Sequence, residues 1–252
     1  MPVVVEPFDD ASLDLAESSG IPIAYKLPTS DISDHAFAQR IARTGKPVIC
    51  GVGGATEAEI RATLDVLREA NAAIVVLLFG FQSYPTDVSE THLRRLQQFV
   101  GKYPVRLGYA DHIDAENDVL RFAVPAMAIA AGATVIEKHV TLDRAKRGRD
   151  HYSALNPHEF RSFSSNLRRA ALARGDGAIK LSDAELEYRR VMKKQAVTTR
   201  ALSAGTVLAV EHIRFKRTAQ DGLVPHDMAR VVGRRLRRDL EEDMAITEVD
   251  LE

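Results

Sequence analysis

The chain has 252 residues, 45% of them hydrophobic, with no tryptophan and a formal charge of -1. That is enough for one large α/β domain and a small module with a real core. The balanced charge excludes a general electrostatic pull towards nucleic acid or a membrane surface, and no run approaches the roughly 20 apolar residues that span a bilayer. Cys50 is the only cysteine, so no internal disulfide forms, and MPVVVEPFDD has no basic and then apolar leader. The chain reads as cytoplasmic.

In chain order, short β-rich apolar runs begin near Val3 (VVVEPF), Ile23 (IAYK), Val48 (VICGV), Ile74 (IVVLLFG), Val105 (VRLGY) and Val135 (VIEKHV). Helical patterns separate them. In EAEIRATLDVLREA, Ile60, Leu64 and Leu67 share one face, and Thr56 with Glu59 forms a capping box. Asn156, Pro157 and Glu159 open another helix that runs through Phe160, Phe163 and Leu167. Strand and helix in alternation predict parallel strands with crossover helices, a TIM-type (β/α) barrel of which six of the eight units are visible.

After Arg174 the texture changes. Residues 175–190 read as a linker, and 191–252 as a compact, mostly β module of about 60 residues built on QAVTT, GTVLA, IRFKR and MAITEVDL. Arg and Lys are in excess from Arg189 to Arg238, with Phe215 the one aromatic side chain among them. The pattern therefore reads as a solvated face with one or two arginines turned to an anionic ligand, not a base-stacking surface.

The polar residues Lys26, Asp111, His112, Lys138 and His139 stand at the C-terminal ends of the apolar runs, where parallel α/β enzymes place their chemistry. His112 in GYADH and His139 in VIEKHVTLD close successive strands. Two neutral imidazoles on one rim suit a divalent metal with positions left open for substrate. Asp111, Glu137 and Lys138 stand beside them, and Asp150 follows shortly after.

The segments KPVICGVGGAT, SYPT, GYADH, EKHVTLDR, DHYSALNP and the FKR of the tail resemble the sialic acid synthase family in order and spacing. That family condenses phosphoenolpyruvate with an N-acetylated sugar such as N-acetylmannosamine, giving a nonulosonic acid and phosphate. The resemblance implies a barrel over 1–174 and a C-terminal antifreeze-like (SAF) cap. It implies a divalent metal, Mn2+ or Mg2+, on His112 and His139. It gives Lys26, Glu137 and Asp150 catalytic roles, and makes Tyr84, Gln82, Gly53, Asp111 and Arg217 substrate-binding residues. It also implies a domain-swapped homodimer in which Arg217 serves the other subunit's site.

This chain departs from the family pattern at several positions. Gly51 and Val52 replace a usual Ser-Thr, Phe79 and Gly80 a His-Cys pair, Gln82 an asparagine and Ala110 a serine. These changes surround the sugar site and bear on which sugar is used. The family's first two strands, with an Ala-Glu-Ile-Gly motif, have no counterpart here. The expectation is therefore an N-terminally incomplete barrel with little activity by itself, and the alternative is a non-catalytic relative that binds sugar or metal.

Overall fold

In the computed structural model, which describes residues 1–252, each apolar run of the first part is a strand. These are β1 (Val3–Val5), β2 (Pro22–Leu27), β3 (Val48–Gly51), β4 (Val75–Phe79), β5 (Arg106–Asp111) and β6 (Val135–Lys138). They form one parallel six-stranded sheet in the order β1-β2-β3-β4-β5-β6, so every crossover returns the chain to the adjacent strand. That sequential order is the barrel order; β1 and β6 are its two edges.

The connections are α1 (Asp10–Ser19), α2 (His35–Ala42), α3 (Glu57–Glu69), α4 (Leu93–Phe99) and α5 (Leu120–Ala130), with α6 (Pro157–Ala173) after the last strand. The starts of α1 and α3 are fixed by side chains that satisfy free backbone donors. Asp9 accepts from the Ser12 amide, and Thr56 and Glu59 cap each other reciprocally. Ile60 and Leu67 of α3 are buried in one cluster with Val48, Cys50 and Leu77 of the sheet, and Leu64 is partly buried against that cluster. Each such side chain contributes roughly 1.5–3 kcal/mol of burial, which holds the helix over the sheet.

The chain divides into two units, Met1–Gly177 and Ala178–Glu252. The second opens with α7 (Asp183–Met192), which overlaps the segment expected to be a linker. Its start was readable, since Ser182 and Glu185 form the same reciprocal cap as Thr56 and Glu59. There follow an antiparallel pair, β7 (Lys194–Thr198) with β8 (Ile213–Arg217), and the short α8 (Met228–Val231). The GTVLA and MAITEVDL runs join this unit through single bridges, such as Val207 to Arg235 and Val197 to Ala245. Its own core contains Leu208, Leu236, Leu240, Ile246 and Leu251. Much of its basic excess is locally paired: Arg214 and Lys216 bind Asp243, Arg234 binds Glu248 and Arg238 binds Asp250.

Candidate functional site

The register of the sheet gathers the site. Val5 pairs with Tyr25, so Glu6, one step past β1, reaches the level of Lys26 on β2. Asp111 pairs with Lys138, so His112 and His139, one step past β5 and β6, emerge side by side at the C-terminal rim. A pocket of about 470 Å³ opens there, and its walls include Glu6, Lys26, Gln82, Tyr84, His112, Glu137, His139 and Asp150. A larger cleft of about 880 Å³ lies at the opposite end of the sheet, by Val75 and Arg106, but it gathers no histidine and only Asp65 as an acid. The chemistry, not the volume, distinguishes the smaller pocket.

The imidazole rings of His112 and His139 are 5.3 Å apart, and Tyr84 packs edge-on against both, at 4.9 and 5.3 Å. His112 is 2% exposed. Burial first, and His139 second, depress its pKa to about 4. Burial also lowers that of His139. Both rings are therefore held neutral, the form that ligates metals. The Nδ1–H of His112 donates to the Phe81 carbonyl at 3.0 Å, which leaves Nε2 with its lone pair. The loop that carries Tyr84 is tied to the same strand end, since the Thr86 amide donates to the His112 carbonyl and the Thr86 hydroxyl to those of Phe81 and Ser83.

Lys26 donates to Glu137 at 3.0 Å and lies 3.4 Å from Glu6. Asp150 arrives on the loop after β6. That loop is pinned by a Val140–Leu155 bridge, by Ser153 donating to the His112 carbonyl, and by Arg144 gripping Glu159 at 2.6 and 2.9 Å.

Two residues expected at the substrate stand elsewhere. Asp111 is fully buried, and its carboxylate binds Lys138 at 2.6 Å in a pair whose side chains are 0% and 1% exposed. Lys138 also donates to the Ile113 carbonyl. Successive strand residues face opposite sides, so with His112 in the pocket Asp111 turns away from it. Gly53 does not line the pocket either. A Cβ there would sit 1.7 Å from the Gly80 carbonyl oxygen, so the glycine permits the segments after β3 and β4 to approach. Arg217 ends β8 in the second unit and is exposed. Glu6 is the pocket residue that sequence reasoning passed over; as the first polar residue after VVV it follows the same strand-end rule as His112.

Parallel sheet, crossover helices and a rim of imidazoles, carboxylates and lysine define a (β/α) barrel-type enzyme scaffold, here followed by a small β module. The chain belongs to the NeuB family, whose profile matches residues 1–179, and the SAF domain profile matches 194–252. It is 30% identical to an N,N'-diacetyllegionaminic acid synthase of Campylobacter jejuni over 96% of this chain and 71% of that protein. It is also 30% identical to a pseudaminic acid synthase of Campylobacter jejuni, over 91% of this chain and 64% of that one. Among solved structures, a spore coat polysaccharide biosynthesis protein E from Chromobacterium violaceum superposes with a TM-score of 0.81 and 28% identity. That match covers all of this chain and 74% of the other. The chain thus spans about two thirds of the length of curated relatives, 64% in one case and 70% and 71% in others. No helix is long and apolar enough to cross a membrane.

Proposed function

We propose that this chain is a nonulosonic acid synthase that condenses phosphoenolpyruvate with the aldehyde of an N-acetylated amino sugar and releases phosphate. One observation carries the reading: Lys26, Gln82, Tyr84, His112, Glu137, His139 and Asp150, drawn from three strand ends and two loops, line a single pocket. Relatives named as legionaminic and pseudaminic acid synthases support the class of product.

In the reaction, C3 of the enol phosphate forms a bond to the aldehyde carbon, and the aldehyde oxygen takes a proton. Water adds to the oxocarbenium carbon left behind, and the carbon–oxygen bond to phosphate breaks. Lys26 is the cation suited to hold the anionic donor, since Lys138 is committed to Asp111. Glu137 and Asp150, as carboxylates on the pocket wall, are suited to move protons at the attacking water and the sugar hydroxyls. Tyr84 and Gln82 offer hydrogen bonds that orient the sugar.

The two neutral imidazoles fit a divalent ion, Mn2+ or Mg2+. No set of three His, Cys, Asp or Glu side chains converges on one point, so substrate and water would fill the other positions. Bound there, the ion supplies Lewis-acid polarisation of the aldehyde. A homodimer in which Arg217 serves the other subunit's pocket belongs to the same proposal.

The test is phosphate release from phosphoenolpyruvate with Mn2+, across N-acetylmannosamine and a panel of 2,4-diacetamido-hexoses. Release that depends on both the acceptor and the ion supports the synthase. A second reading, a non-catalytic sugar- or metal-binding relative, is favoured by the unclosed six-stranded sheet. It predicts Mn2+ binding that is lost in the His112→Ala, His139→Ala double variant, with no phosphate release.

A further inference from the structure

The charge of the pocket presents a problem for its donor. Glu6, Glu137 and Asp150 line it, against Lys26 as the one lysine not sealed into another pair. Three carboxylates face one available ammonium there, and an enol phosphate carrying about three negative charges is repelled by that excess. Lys26 is itself occupied. Its side chain is 12% exposed, with Glu137 at 3.0 Å and Glu6 at 3.4 Å. Glu137 alone already satisfies a lysine counter-ion. Glu6 is a second carboxylate on the same ammonium, and Lys26 is its one ion-pair partner. Burial works against its charge and, despite Lys26, raises its pKa; the nearby Glu137 and Asp31 add to this. A negative charge kept in so crowded a place weakens anion binding by construction.

We propose that Glu6 is a positioning residue that keeps Lys26 engaged, so that the anionic donor binds well only after a divalent cation has offset the carboxylates of the pocket. Glu6 then sets the order of loading: cation first, enol phosphate second. The inference rests on the proposed role of Lys26 as the donor's cation. It assigns Glu6 a job that differs from catalysis, because the residue acts through Lys26 and not on the reacting atoms. Removing its charge while keeping its shape should free Lys26 and make donor binding less dependent on the cation.

The experiment is calorimetric titration of phosphoenolpyruvate into wild type, Glu6→Gln and Glu6→Asp, each stripped of metal and then saturated with Mn2+. In Glu6→Gln, metal-free binding should tighten roughly tenfold, from the loss of one nearby like charge, and the gain from Mn2+ should shrink by a similar factor. Glu6→Asp keeps the charge and should retain the wild-type dependence on Mn2+. Glu6→Ala provides a second neutral variant should Glu6→Gln fold poorly, as judged by its thermal midpoint. Equal or weaker metal-free binding by a folded neutral variant overturns the inference while leaving the synthase reading intact. If no variant binds phosphoenolpyruvate with or without Mn2+, the synthase reading falls and takes this inference with it.

Discussion

Two lysine–carboxylate pairs stand within the same sheet and do opposite things. Lys138 and Asp111 are sealed, at 1% and 0% side-chain exposure, while Lys26 and Glu137 open to the pocket at 12% and 33%. The sealed pair joins β5 to β6 one residue before the two histidines, and both of its side chains are shut away from solvent. The open pair can exchange partners. Residue type therefore does not reveal which charges serve structure and which serve chemistry; the side of the strand does.

The comparison can be broken most forcefully at the sealed pair. Lys138→Met leaves the Asp111 carboxylate buried without its cation and should cost about 3–5 kcal/mol in urea unfolding. Pairing it with Asp111→Leu should recover most of that loss, because no buried charge remains. Normal stability in Lys138→Met would show that the pair is not the clamp described.

The second effect is a pH dependence. His112 has a folded pKa of about 4, below its ordinary value near 6.5, so the folded state favours the neutral ring. Its stabilising contribution is complete above pH 6.5, declines as pH falls through that value, and is fully lost below about 4. The span is roughly 3 kcal/mol. In His112→Gln the decline between pH 6.5 and 4 should shrink, and an unchanged slope would count against the assignment.

A third pair lies between the extremes. Arg144 and Glu159, 15% and 10% exposed, fasten the loop that brings Asp150 to the pocket. The Arg144 hydrogen bonds, followed in effect by the Asn156 amide and Arg121, hold the Glu159 pKa at about 2. Glu159→Gln should cost about 1–3 kcal/mol at neutral pH. In the wild type this contribution is present above the ordinary glutamate pKa and is lost as pH falls through about 2. The smallest effect on folding belongs to the open pair. Lys26→Met should change unfolding by less than about 1 kcal/mol, because Glu6 and Glu137 can take up water in its place. Phosphoenolpyruvate binding should nevertheless be lost in that variant. A folding penalty as large as that of Lys138→Met would erase the distinction.

Much of this was legible in the sequence. Each apolar run became a strand, and the strand-end rule located Lys26, His112 and His139, because a parallel sheet carries its C-terminal rim wherever its runs end. The rule failed where two polar residues follow each other. GYADH offers both Asp111 and His112, and only the pleat decides that one faces the pocket and the other the interior. Gly53 lies outside the pocket lining and is packed so close to Gly80 that a Cβ would not fit, a long-range contact that no local pattern encodes. Glu6 was legible by the rule that located the others. The helix Asp183–Met192 was likewise signalled by Ser182 and Glu185, but the polar segment around it read as a connection.

Carbon–carbon bond formation is the central claim, and one labelling measurement tests it directly. Phosphoenolpyruvate carrying 13C at C3 is incubated with the chain, Mn2+ and an N-acetylated aldehyde sugar, and the label is followed by NMR. Condensation predicts that the labelled carbon becomes a methylene coupled to a new carbinol proton, in a product bearing the atoms of both substrates and water less phosphate. Label that appears only in the methyl group of pyruvate, or that stays in the enol phosphate while Mn2+ is bound, would contradict the synthase assignment.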